Sequence, residues 1–108
     1  MQEGDSLRAR YYEQRLDRLR RRNFEFGNLA RGLARLLDKP NSQLPAADLT
    51  GAVRAVSPDI SHNNIIDFVQ DAEQSGFLMY DDYEDAYFMP IPTFAGHLLG
   101  KNSPQRTN

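Results

Sequence analysis

The side chains that could carry out catalysis or hold a metal ion are few and scattered in this sequence. The chain has two histidines, His62 and His97, and no cysteine. Neither histidine has a second ligand at the spacing of a metal motif such as HxxxH or HExxH. Glycine-rich phosphate loops and the GxSxG turn of serine hydrolases are also missing from the sequence. We therefore expect no catalytic residue, no metal site and no cofactor, and we predict that the chain is not an enzyme.

The densest group of acidic side chains is the stretch DDYED at residues 81–85. Carboxylates can hold a hard cation such as Ca²⁺, but this stretch has neither the glycine nor the distal glutamate of a calcium loop. A polar turn is the simpler interpretation. The predicted acidic surface consists of Asp67, Asp71, Asp81, Asp82, Glu84 and Asp85.

The basic side chains are concentrated at the other end of the chain. Residues 1–39 contain ten Lys or Arg and six Asp or Glu, whereas residues 40–108 contain three and nine, and the net charge is −2. Arginine clusters can follow a phosphate backbone through their planar, permanently charged guanidinium groups. An equally open interpretation is a solvated helix whose Glu13 and Asp17 pair with arginines one turn away. The candidate phosphate contacts are Arg15, Arg18, Arg20, Arg21 and Arg22.

Hydrophobic periodicity predicts the helix that carries these arginines. Residues 1–6 are polar and are predicted to be a flexible N-terminus, and residues 7–26 are predicted to form an arginine-rich amphipathic helix. Its apolar positions alternate in steps of three and four, which is typical of a coiled-coil seam. Glycines at 27 and 32 disfavour one continuous helix, so we expect a break near residues 23–28. The predicted seam for a partner or a second copy consists of Tyr12, Leu16, Leu19, Asn23 and Phe26.

Two further helices are predicted between residues 28 and 56. The first ends before Pro40, because the residue preceding a proline is pushed away from helical geometry. Its repeating apolar positions are Leu29, Leu33, Leu36 and Leu37. Pro45 suits the first turn of the second helix. The apolar face of that helix reads Leu49, Ala52, Val53 and Val56.

The rest of the sequence predicts a third core helix, a hairpin and a short closing helix. Ser61 can cap the third helix, Gly76 can end it, and Ile65, Ile66 and Ala72 are expected in its buried face. Aromatic runs at 77–80 and 86–89 flank the polar turn and read as a hairpin. A short helix follows Pro92. Residues 28–99 are therefore predicted to form one domain, and residues 100–108 a disordered tail.

This order of elements resembles a known superfamily. The stretch AADLTGAVRAVSPDISHNNIIDFVQDAEQSGFLMYDD resembles the helix-turn-helix and first wing strand of winged-helix proteins. The ending YFMPIPTFAGHLLG resembles the last strand and closing helix of winged helices appended to multidomain ATPases. The resemblance implies a mainly α fold with a small β-hairpin, that is, a winged helix preceded by an arginine-rich helix. Most members of the superfamily bind DNA but many bind protein, so the fold alone does not settle the function.

Charge argues against the DNA docking that is usual in this superfamily. The third helix and the wing would bring six carboxylates toward phosphates with no compensating cation. We therefore predict a non-catalytic module for protein–protein interaction, assembly or regulation, whose partner is another protein or a second copy. The alternative is a DNA-binding transcriptional regulator in which the arginine helix contacts phosphates and Asn63, Asn64 and Gln70 contact bases.

Neither a membrane nor a small-molecule partner is expected. The sequence has no apolar run near the roughly 18 residues that a membrane span needs, and its start MQEGDSLRAR has no apolar stretch of the kind found in signal peptides. A domain of this size leaves little room for both a core and an enclosed pocket. Together with the missing cysteines, these features predict a cytoplasmic location.

Overall fold

The computed structural model describes residues 2–39 and 41–100 of the chain. In these residues the helices are α1 (Gln2–Arg22), α2 (Phe26–Leu37), α3 (Leu49–Val56), α4 (His62–Gln74) and α5 (Pro92–Leu98). The strands are β1 (Leu44–Pro45), β2 (Met79–Asp81) and β3 (Ala86–Phe88). The expected fold class, mainly helical with a small amount of β structure, is confirmed.

The first two helices are separated by a short turn inside the region where the sequence predicted a break. α1 begins at Gln2, before the predicted start at residue 7, and ends at Arg22. Asn23 then forms an Asx turn, in which its side-chain Oδ1 accepts the backbone N–H of Glu25 at 2.9 Å. The carbonyl of Asn23 accepts the N–H of Phe26, also at 2.9 Å. α1 and α2 are therefore two distinct elements.

The apolar side of α1 is buried in the core of the same chain, which corrects the expected inter-chain seam. Tyr12, Leu16 and Leu19 are at most 5% exposed, and Phe26 is 1% exposed. α1 packs against α2, α4 and α5. Asn23, the polar member of the predicted seam, lies in the turn after α1. Because an amphipathic helix gains stability wherever its apolar stripe leaves water, the nearest partner surface, here the chain itself, covers the stripe.

A line of aromatic rings fixes α1 to the rest of the molecule. Tyr12 stacks on Phe94 of α5 with ring centroids 4.6 Å apart, and Phe94 meets Phe77 at 5.8 Å. Phe77 meets Phe68 of α4 at 6.2 Å, and Phe68 meets Phe26 at 5.3 Å. Each such pair contributes roughly 0.5–1.5 kcal/mol beyond the area it buries. These contacts position α1 firmly beside α4.

A short turn joins α3 to α4, and the caps that the sequence predicted at the two ends of α4 are confirmed. The Ser61 Oγ accepts the backbone N–H of Asn64 at 3.1 Å, which satisfies one free donor at the start of α4. Ile60 in the turn is 6% exposed and belongs to the core. Gly76 follows α4 with φ of 84°, the left-handed conformation in which glycine is favoured.

The three strands form one antiparallel sheet in the order β1-β3-β2. Tyr80 pairs with Tyr87 between β2 and β3, and Pro45 pairs with Ala86 between β1 and β3. Pro45 was expected to open the second helix. It lies instead in an edge strand, where its missing N–H breaks no ladder bond. A 3₁₀ turn (Ala46–Asp48) then leads into α3.

Two further observations concern the ends of the chain and the apolar character of its helices. Met1 and residues 101–108, which belong to the predicted flexible N-terminus and disordered tail, lie outside the described residues. Across residues 2–39 and 41–100, no helix combines the length and the apolar character needed to span a bilayer.

Candidate interaction surfaces

A basic groove runs between α1 and α4. It has a volume of about 350 Å³. The residues that line it are Arg18, Leu19, Arg21, Arg22, Asp71 and Gln74. Arg22 bridges the two helices, with Nη2 at 3.5 Å from the Asp67 Oδ1 and Nη1 at 3.3 Å from the Asp71 Oδ1. The expectation that the carboxylates of α4 lack a compensating cation is therefore corrected for these two.

The other four candidate arginines of α1, besides Arg22, lie on two sides of the helix. The Arg15 guanidinium lies 4.7 Å from the centre of the Tyr11 ring, a cation–π distance. Arg18 and Arg21 are exposed beside the groove. Arg20 lies elsewhere, because it pairs with Asp17 at 3.1 Å on another side of α1. The structure thus brings four of the five candidate arginines toward one half of the helix and separates Arg20 from them.

The outward face of α4 combines amides with an exposed aliphatic side chain. Asn63 and Gln70 are exposed, whereas Asn64 is half-buried. Ile66, which the periodicity placed in the core, is 44% exposed. The core positions of α4 are taken by Ile65, Phe68 and Ala72. Ile66 therefore adds apolar surface to the face that carries the two free amides.

The β2–β3 hairpin presents a fixed turn with an exposed aromatic side chain. Asp81 Oδ1 accepts the backbone N–H groups of Tyr83 at 2.9 Å and Glu84 at 3.3 Å. Asp85 adopts a positive φ of 54° and accepts a short hydrogen bond from the Tyr80 hydroxyl. The Tyr83 side chain is 92% exposed. The predicted polar turn is present, and its hydrogen bonds hold the tyrosine at the tip outward.

The same hydrogen bond changes the acidity of Tyr80. The Asp85 carboxylate accepts the phenol proton and so favours the protonated form, which raises the pKa of Tyr80 to about 12. Partial burial and the charges of Asp85 and Asp82 act in the same direction. For Tyr87, which packs 5.1 Å from the Tyr80 ring, burial raises the pKa. Both phenols are therefore hydrogen-bond donors at neutral pH, with no nucleophilic phenolate.

The two histidines lie in different places. His97 of α5 contacts the Glu13 carboxylate of α1 at 2.7 Å, and His62 is exposed at the start of α4. In the part of the chain that the structure describes, no group of three or more His, Asp or Glu side chains is arranged to hold a metal ion. His97 thus connects α1 to α5.

A second depression, of about 430 Å³, lies between the α2–β1 loop and the sheet. Its apolar part includes Phe88, Met89 and Pro92, and its polar part includes Asp38 and Asp81. No sequence pattern predicts this depression, since its lining comes from segments far apart in the chain. Its charged lining residues are Asp38, Lys39 and Asp81, and no histidine is among the described residues that line it.

Comparisons with known proteins identify no relative. The chain matches no family model, and neither a curated protein nor a solved structure matches it. The function must therefore be argued from the surfaces themselves.

Proposed function

We propose that residues 26–98 form a winged helix with α1 as an N-terminal addition. The proposal is supported by the order helix, strand, helix, helix, strand, strand from α2 to β3. It is also supported by the strand order β1-β3-β2. In this interpretation α3 and α4 are the helix-turn-helix, and the β2–β3 hairpin is the wing. α5 closes the core against α1 and α2.

Within that fold, we propose a non-catalytic module that binds protein in assembly or regulation, at a cytoplasmic location. One observation carries the proposal: the wing is acidic and aromatic at the position where DNA-binding winged helices contact phosphates. Asp82 and Glu84 flank the exposed Tyr83 at its tip. Carboxylates repel a phosphate backbone, whereas an exposed tyrosine is typical of protein interfaces.

The face of α4 supports the same interpretation. Its free amides Asn63 and Gln70 flank an exposed Ile66, and Arg22, the arginine that pairs with α4, is held by two carboxylates. An arginine engaged in this way has less positive potential to offer a phosphate. A mixture of apolar and neutral polar groups suits the packed centre of a protein interface.

Fluorescence anisotropy with a labelled random-sequence duplex tests this proposal. The expected result is unchanged anisotropy at micromolar protein, at about 50 mM and at about 150 mM salt. The variant Asp82→Asn/Glu84→Gln tests whether the carboxylates at the tip repel DNA. If the unmodified protein binds the duplex weakly at low salt, this variant should bind it more tightly. Saturable binding of the unmodified protein with a steep salt dependence would contradict the proposal.

A DNA-binding regulator is the second candidate, and the basic groove between α1 and α4 favours it. Arg18 and Arg21 could contact phosphates while Asn63 and Gln70 contact bases. If so, Arg18→Gln/Arg21→Gln should reduce the slope of log affinity against log salt by about 2, since each phosphate contact contributes about 0.9. Arg10→Gln/Arg35→Gln removes the same charge from exposed positions elsewhere and is the control. Equal effects of the two variants would contradict specific contacts at the groove.

A further inference from the structure

The hairpin tip and the α1–α4 groove carry exposed side chains of opposite charge. The tip projects Tyr83, 92% exposed, between the carboxylates Asp82 and Glu84. The groove is concave and has exposed Arg18 and Arg21 on its rim. Its volume of about 350 Å³ falls in the range of roughly 300–1,000 Å³ found for binding pockets.

The exposed Tyr83 is available to a partner outside the fold. Folding gains stability in proportion to the apolar area it removes from water, and at 92% exposure Tyr83 contributes almost none of that area. Its backbone is nevertheless fixed by the bond to Asp81. With its backbone fixed and only two side-chain torsions to order, a tyrosine loses little conformational entropy on binding, and tyrosine is enriched among the residues that dominate interface energies.

The two surfaces are not paired with each other within the described part of one molecule. α1 packs on α2, α4 and α5. Within residues 2–39 and 41–100, no ion pair joins α1 to the hairpin. Residues 55–100, which include α4 and the hairpin, contain no lysine or arginine, so the charge complement of the tip must come from residues outside this range or from another molecule. The exposed Arg18 and Arg21 of a second copy are one such complement.

We infer that copies of this chain associate head to tail, with the hairpin tip of one copy seated in the α1–α4 groove of the next. The inference rests on the proposed protein-binding function and names the partner. Tyr83 stacks on the guanidinium planes at the rim, and Asp82 and Glu84 pair with Arg18 and Arg21. Because the two surfaces differ, the contact is heterologous and each copy keeps one surface free for a further copy.

Sedimentation velocity on the whole chain tests the inference. At about 50 mM salt the average mass should rise above the 12.3 kDa of one chain as the concentration increases from about 10 µM to 1 mM. At about 500 mM salt the mass should return toward that of one chain, because exposed ion pairs are screened. A constant mass of one chain at low salt would overturn the inference, and so would association that salt leaves unchanged.

Charge reversal identifies the surfaces. Asp82→Arg/Glu84→Arg and Arg18→Glu/Arg21→Glu should each abolish association alone, since each places like charges on tip and groove. Their equimolar mixture should associate again, because each variant then meets the opposite charge on the other. Arg10→Glu/Arg35→Glu changes the same charge at other exposed positions and should have no such effect. A mixture that stays monomeric would overturn the inference.

Substitutions of Tyr83 test separately how much its ring contributes to association between copies. Tyr83→Ala should weaken association about tenfold or more, whereas Tyr83→Phe should keep it within about twofold, because the ring supplies the contact. Circular dichroism spectra check that all variants fold. Equal affinity of Tyr83→Ala and the unmodified chain would overturn the docking.

If duplex DNA does not bind and the chain stays monomeric, this inference fails while the proposed protein-binding function stands. Binding of duplex DNA would instead contradict the proposed function.

Discussion

A close approach between α2 and α3 at Gly32 allows a quantitative test of the packing. A Cβ placed on Gly32 would lie 2.4 Å from Val56 Cγ2, whereas ordinary contacts begin at 3.4 Å. One of the two groups would have to move by about 1 Å. Val56 is β-branched, and in a helix such a side chain has one strongly preferred rotamer, so it cannot turn away at low cost.

Gly32→Ala therefore combines two opposed effects on the free energy of unfolding. Alanine is favoured over glycine in a helix by about 1 kcal/mol. Overlap of an added methyl group with a neighbouring side chain costs typically 1–3 kcal/mol. We expect a net loss of roughly 1 kcal/mol in the unmodified chain. In a Val56→Ala background the overlap is gone, and the same change should stabilise by about 1 kcal/mol.

Equilibrium urea unfolding of the four proteins in this double-mutant cycle measures the coupling between the two positions. Gly51→Ala is the matched control, because a Cβ at Gly51 of α3 would meet nothing within 4 Å. That control should be neutral or stabilising by up to about 1 kcal/mol. If Gly32→Ala stabilised the unmodified chain as much as Gly51→Ala does, and the cycle showed no coupling, the argument from the α2–α3 contact would be refuted.

Three further predictions concern the caps and the hairpin. Gly76→Ala should destabilise by roughly 1–2 kcal/mol through backbone strain alone, because φ is 84° and no atom lies within 4 Å of the added Cβ; an unchanged urea midpoint would contradict this. Ser61→Ala should cost about 1 kcal/mol because α4 loses its N-cap, whereas Ser61→Asp should keep most of the stability. Asp85→Asn should lower the pKa of Tyr80 from about 12 toward 10, measured as phenolate absorbance with Tyr80→Phe as the reference. The folded pKa of Tyr80 lies above its unfolded value, so the stabilising contribution of the Tyr80–Asp85 hydrogen bond is complete below pH 10 and is lost as the pH rises toward 12. The Asp85→Asn variant lacks this contribution, so its stability should not fall for this reason between pH 10 and pH 12.

The parts of the fold that the sequence predicted well are those encoded by neighbouring residues. The cap at Ser61, the left-handed Gly76 and the break at Asn23 each depend on a few consecutive residues and their backbone preferences. The turn at 81–85 is of the same kind. Such signals do not depend on where the rest of the chain lies, and the structure confirms each of them.

The parts that the sequence could not predict depend on contacts between distant residues. β1 has two residues, one of them proline, and exists because it pairs with β3 about forty residues later. The periodicity of α1 identified its apolar stripe but could not say whether the covering surface belonged to the same chain. The ion pairs from Arg22 to Asp67 and Asp71 likewise arise only when α1 packs on α4. The candidate acidic and basic residues were thus found by type, and pairing within α1 was anticipated for Asp17, which binds Arg20, but pairing between helices was not.

α1 links the stability of the module to the charge of its candidate binding face. Its stripe, which includes Leu16 and Leu19, completes the core, while Arg22 on another side offsets the charge of Asp67 and Asp71. A chain without α1 would expose that core and leave the carboxylates of α4 uncompensated, so it could not serve as a test of DNA binding. Both the DNA-binding alternative and head-to-tail association therefore depend on the exposed arginines that no core contact requires. Substitutions at Arg18 and Arg21 remove these exposed charges and leave α1 in place. If the chain binds DNA, the substitutions should reduce its affinity for a duplex, and if copies associate head to tail, they should reduce that association.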